Sequence, residues 1–132
     1  MNTCKYYENT RGQSVVETAL VLPLIILILA GIIDFGLLFN NYLVISNASR
    51  EAARLAAVGA SDSAINSSII NAARSLDQNL MTVTITPSQS SRKKGDEISV
   101  LITYNNRLMT PVISAIVPNP VQLRSRTVMR ME

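Results

Sequence analysis

The run TALVLPLIILILAGII, residues 18–33, holds 16 residues without a charge and is bounded by Glu17 and Asp34. No other feature constrains the chain so tightly. As a helix it measures about 24 Å, short of a hydrocarbon core of about 30 Å, so one or both acids must sit near an interface or find a partner. Extending the segment to Phe39 makes residues 13–39 long enough to span, and a single membrane helix is the expectation. An ionised carboxylate near the bilayer centre costs about 2.5–3.5 kcal/mol on insertion scales. Glu17, five residues after the isolated Gly12, therefore needs a reason.

If that segment enters lipid, only about 90 of the 132 residues remain to fold in water, near the size where a core becomes marginal. Lys+Arg 12 against Asp+Glu 9 gives a net charge of +3, too weak to argue for nucleic acid as a partner. The chain has no histidine, and its one cysteine is Cys4. Cys/His metal sites and His-assisted nucleophiles are thereby excluded, as is an internal disulfide. No paired-carboxylate motif or glycine-rich phosphate loop occurs, so neither an enzyme nor a cofactor is expected.

Beyond the span the helical pattern continues. SNASREAARLAAV, residues 46–58, is rich in helix formers and breaks at Gly59. Ala48, Ala52 and Ala56 form a small-residue stripe that permits close backbone approach, here to the protein's own sheet. Asp62 is the expected N-cap of a second helix with Ile65, Ile69, Ala72, Ala73 and Leu76 on one face. After Asn79 the period changes to two. Met81, Val83 and Ile85 alternate with threonines up to Pro87. Ile98, Val100, Ile102 and Tyr104 alternate likewise, after the polar loop PSQSSRKKGDE. PVISAIVP is a short apolar turn or helix. VQLRSRTVMRM is a third strand with Arg124, Arg126 and Arg130 on its outer face. The expected fold class is α+β: a long N-terminal transmembrane helix continuing to about residue 58, a second helix, and a roughly three-stranded antiparallel sheet.

A secretory signal does not fit the N-terminus, because the apolar stretch runs too long and no small-residue cleavage pattern follows it. Cleavage before the run fits better. A glycine lets a protease grip the backbone closely, and a cut after Gly12 makes Gln13 the new N-terminus and Glu17 the fifth residue. The stretch RGQSVVETALVLPLIILILAGIIDFGLLF resembles the N-terminus of TadE-like proteins, pseudopilins or minor pilins of Tad (Flp) pilus systems. ASREAARLAAV and the closing VQLRSRTVMRME resemble the same family. Tad-type leaders usually carry an aromatic residue after the glutamate, where this chain has Thr18.

The resemblance implies a leader over residues 1–12, a membrane helix over 13–39 and an exported pilin-like domain over 40–132. It implies Gly12 and Gln13 as the cleavage site and Glu17 as the assembly residue. It further implies a bacterial inner-membrane location with the leader cytoplasmic, and as partners a prepilin peptidase, other pilins and pseudopilins, the assembly platform and the lipid bilayer. Charge alone leaves the orientation open: Lys5 and Arg11 before the helix balance Arg50 and Arg54 after it. Physical chemistry supports the role of Glu17. A free α-amine at Gln13 has a pKa near 7.7–8.0 and is largely cationic at neutral pH. It stands one helical turn from Glu17, or faces it from a neighbouring subunit.

Other readings remain open at this stage. Glu17 could snorkel to the interface of an uncleaved helix. The exported domain could then bind a ligand or polyanion. Pro23 is read as a slight bend in the membrane helix. Asp34-Phe35-Gly36 matches a kinase motif with no other kinase element, and Asp34 is read as marking the outer interface. Arg92, Lys93 and Lys94 are read as a solvated loop.

Overall fold

Helix α1, Thr10–Ala57, runs 48 residues without a break, through Pro23. At the usual rise it is about 72 Å long. The structure, a computed structural model, describes residues 10–132. Residues 1–9 of the expected leader, with Cys4 and Lys5, lie outside the described residues.

Two halves of α1 differ in surroundings. From Gly12 to Leu29 the side chains are exposed on every side, including Val15, Leu20, Leu24 and Ile28. From Asp34 onward one face is covered, and Ile45, Ala48, Ala52 and Ala56 are fully or almost fully buried. The alanine stripe therefore packs inside the protein, as its spacing suggested. Gly59 ends the helix with φ +81°, a conformation that costs glycine little. Its N–H donates to Ala56 O at 3.0 Å and that of Ala60 to Leu55 O at 3.1 Å. These two bonds satisfy carbonyls that the helix end would otherwise strand.

Helix α2, Asp62–Ala72, lies against α1 and buries Ile65 and Ile69. The expected cap is displaced by one residue. Ser61, not Asp62, is the N-cap, its Oγ accepting from Ala64 N at 3.3 Å. Asp62 is instead the first helical residue, and its carboxylate is taken by Arg92. The helix also stops earlier than the apolar spacing implied. Ala73 is its C-cap and is buried, so Ala72 faces solvent and Leu76 joins the core from the following turn.

The strands β1 (Met81–Thr86), β2 (Glu97–Asn106) and β3 (Val121–Arg130) form an antiparallel meander with β2 central. Register places Val100 between Ile85 and Thr127, and Ile102 between Val83 and Ser125. Tyr104 lies between Met81 and Leu123. One sheet face thus carries Ile98, Val100, Ile102, Tyr104 and Leu123 into a core shared with α1 and α2. Each fully buried Ile or Val contributes about 1.5–3 kcal/mol relative to exposure. The other face presents Arg124, Arg126 and Arg130, as alternation requires. The short helix α3, Pro111–Ser114, interrupts the β2–β3 connection. The result is the α+β layout expected from the sequence.

Candidate helix-assembly site

Gly12, Gln13, Glu17 and Pro23 all lie on α1 in its uncovered half. A methyl group added at Gly12 would meet nothing within 4 Å. Gln13 and Glu17 stand one turn apart on one helix face. Thr18 Oγ donates back to Ser14 O at 2.9 Å, which hides its hydroxyl against the helix. Pro23 has no N–H to give the carbonyl of Ala19, yet helical geometry persists through it.

Asp34 is set apart from this group. It lies 17 residues beyond Glu17, about 25 Å along the helix, too far for the two carboxylates to act on one bond. It is 4% exposed, and its Oδ2 accepts from Thr110 N at 3.1 Å. The segment after β2 therefore folds down beside α1. With α1 it lines an apolar cleft of about 380 Å³ between Gly31, Asp34, Phe35 and Leu38 on one side and Leu108, Ile113, Val117 and Val121 on the other. Packing against the rest of the chain starts at Gly31, within the segment whose composition suits a membrane.

Two further polar contacts fix α1 on the sheet. Asn41 Nδ2 donates to Asn106 Oδ1 at 2.7 Å, and Asn106 is buried. Ser49 Oγ lies 2.9 Å from Ser125 Oγ and 2.8 Å from Thr127 Oγ1. Asp34, Asn41 and Ser49 recur every seven or eight residues, so all three fall on the face that meets the rest of the domain. Asn41, a polar residue just past the apolar run, has its explanation here. A slide of the helix along the sheet would strand these groups, each at a cost of about 1–3 kcal/mol.

Arg92 corrects the reading of the basic loop. Its side chain is 3% exposed, its Nε donates to Pro87 O at 3.0 Å, and its guanidinium pairs with Asp62. It pins the β1–β2 loop to the start of α2, while Lys93 and Lys94 are the solvated pair. On the outer sheet face Arg126 Nε donates to Ser99 Oγ at 2.9 Å and Arg130 Nε to Gly95 O at 2.8 Å. These arginines lie across the sheet. On the solvent side of α1, the hydrogen bond from Arg54 holds the Glu51 carboxyl below the usual range. Among the described residues, no cluster of three His, Cys, Asp or Glu could hold a metal ion.

Among the described residues, the first half of α1 is thus the part without internal partners, and α1 is long and apolar enough to cross a membrane. A family model described as TadE-like protein matches residues 12–54. That segment is similar to TadE-like proteins. The TadE-like match takes in Gly12, Gln13, Glu17 and Pro23 and ends just short of the α1 C-terminus, so the sheet lies outside it. No curated protein and no solved structure matches the chain.

Proposed function

We propose that this protein is a minor pilin or pseudopilin that helps assemble a Tad/Flp pilus, for adhesion and surface colonisation, by packing the first half of α1 against other pilin-like helices. The observation that carries the reading is a TadE-like α1 whose apolar surface is uncovered on every side from Gly12 to Leu29, with one acid, Glu17, at its head. Such a surface needs either lipid or other helices around it.

In this reading residues 1–12 are a cytoplasmic leader, 13–39 the membrane helix and 40–132 the exported domain. A prepilin peptidase cuts between Gly12 and Gln13. That bond lies in the first turn of α1, and a glycine there weakens the helix by about 1 kcal/mol relative to alanine, which helps the chain unwind for the protease. The α-amine freed on Gln13 gives Glu17 a cationic partner, on its own helix or on a neighbour's. An assembled bundle in which the carboxylate lacks that partner pays for a buried charge, so the pair sets the register between subunits. Pro23 bends the helix slightly where neighbours satisfy the Ala19 carbonyl. The remaining partners are the inner-membrane assembly platform and the bilayer. The domain stands outside the cytoplasmic membrane, and the subunit enters the pilus or remains at its base.

Intact mass and N-terminal sequencing of the membrane-extracted protein test this. The expected product starts at Gln13 and lacks Cys4, and Gly12→Leu stays full length in cells that contain the peptidase. A native mass that retains Cys4, or equal processing of the Leu variant, overturns the leader reading.

A further inference from the structure

The β2–β3 connection, residues 107–120, exposes large apolar side chains although it belongs to the folded domain. Met109 is 78% exposed and Ile116 80%, with Val117 partly exposed beside them. Their height along α1 is fixed at two points. Thr110 N donates to Asp34, and Ile113 Cδ1 comes within 3.5 Å of the place a Cβ on Gly31 would occupy. The exposed side chains therefore sit at the end of the charge-free run of α1, where Ile32, Ile33 and Phe35 also face outward.

We infer that the 107–120 connection is a second membrane contact, in which Met109, Ile116 and Val117 seat in the interfacial layer of the bilayer that α1 crosses and set how deep α1 inserts. The inference rests on the proposed spanning role of α1. Continuity is its first support, since the cleft between α1 and the connection is lined almost wholly by apolar side chains, Phe35 and Leu38 against Leu108, Ile113 and Val117. A bilayer whose hydrocarbon core ends near Asp34 and whose interfacial layer reaches Phe39 meets these side chains. Its second support is backbone satisfaction. Ser114 N bonds Thr110 O, Val117 N bonds Ile113 O at 2.9 Å, and Leu108 N bonds Asn119 Oδ1 at 3.3 Å. Each such bond removes an N–H that would otherwise resist entry into a layer poor in water. Its third is charge. The connection contains Arg107, which is exposed, and no acid, so it brings no carboxylate to the interface. Asp34, the one carboxylate at that depth on α1, is already covered by Thr110 N–H.

The absence of tryptophan makes the test direct. Ile116→Trp, Ile26→Trp and Val128→Trp each introduce one fluorophore at an exposed position, in the full chain reconstituted into phosphatidylcholine and phosphatidylglycerol vesicles. The vesicles carry lipids brominated high on the acyl chain or near its end. Trp at 116 should lose several-fold more fluorescence to the shallow bromines than Trp at 128, on the sheet's far end. Trp at 26 should respond to the deep ones. Quenching at 116 no greater than at 128, with 26 quenched, overturns the inference and leaves the spanning reading intact. A blue-shifted but unquenched Trp at 116 also overturns it, because a second copy of the chain then covers the connection. No quenching at 26 removes the spanning reading, and the inference falls with it.

Discussion

Ser49 Oγ on α1 lies 2.9 Å from Ser125 Oγ on β3, a buried pair joined across 76 residues of sequence. With Thr127 at 2.8 Å from the same oxygen, it forms a polar knot in an otherwise apolar helix–sheet interface.

Ser49→Ala should destabilise the domain by about 1–2 kcal/mol, since Ser125 and Thr127 lose a shared partner in a buried place. Urea unfolding of the detergent-solubilised chain, followed by circular dichroism, measures it. An unchanged midpoint would mean the two β3 hydroxyls satisfy each other.

Arg92→Ala should cost about 1–3 kcal/mol, whereas Lys94→Ala stays within about 0.5 kcal/mol. The first removes a buried side chain that holds Asp62 and Pro87 O; the second removes a solvated one. Thermal unfolding of the two variants side by side decides it, and equal effects would return Arg92 to the solvated loop.

Ala52→Leu should destabilise by about 1–3 kcal/mol or more, because Ala52 is 0% exposed where α1 meets the core. Ala19→Leu, on the uncovered half, should leave the domain's unfolding untouched. A neutral Ala52→Leu would show that the alanine stripe is not closely packed.

Glu17→Ala should leave membrane insertion unharmed or easier, and leave processing at Gly12 in place. Association with other pilin-like helices should fail, because a neighbour's α-amine loses its counter-charge. Pull-down of partner pilins and pilus formation, scored in the same cells, are the readouts. Normal pili in that strain would return Glu17 to an interfacial residue.

Glu51 supplies a small pH dependence. Its carboxyl is held below its unfolded value by the Arg54 hydrogen bond, so its contribution is present above the unfolded pKa and fades as pH falls through the folded one. The pair is exposed and therefore screened. Glu51→Gln should slightly flatten the acid limb of a melting-temperature profile in low salt. The same difference persisting in molar salt would contradict a surface ion pair.

Much of this architecture is legible locally. The change of period after Asn79 marks where helix gives way to strand, because side chains alternate in a strand and recur every 3.6 residues in a helix. Gly59 marks the end of α1 because its positive φ suits a residue without a Cβ. The uncovered apolar half of α1 and the acid at its head are equally plain, and both lie within the TadE-like match.

The polar pairings belong to the tertiary structure alone. Asp34 reads as an interface marker and Arg92 as one of three solvated cations, while nothing local marks Asn41 or Ser49 as paired. Their partners, Thr110, Asn106, Ser125 and Asp62, lie 30 to 76 residues away. Local sequence carries no signal for such a pairing. Hydrophobic periodicity records which face of an element is buried, but a polar group's partner depends on how two buried faces are set against each other. That setting exists only once α1 lies across the sheet, when each of these groups must find a hydrogen bond or lose its water without return.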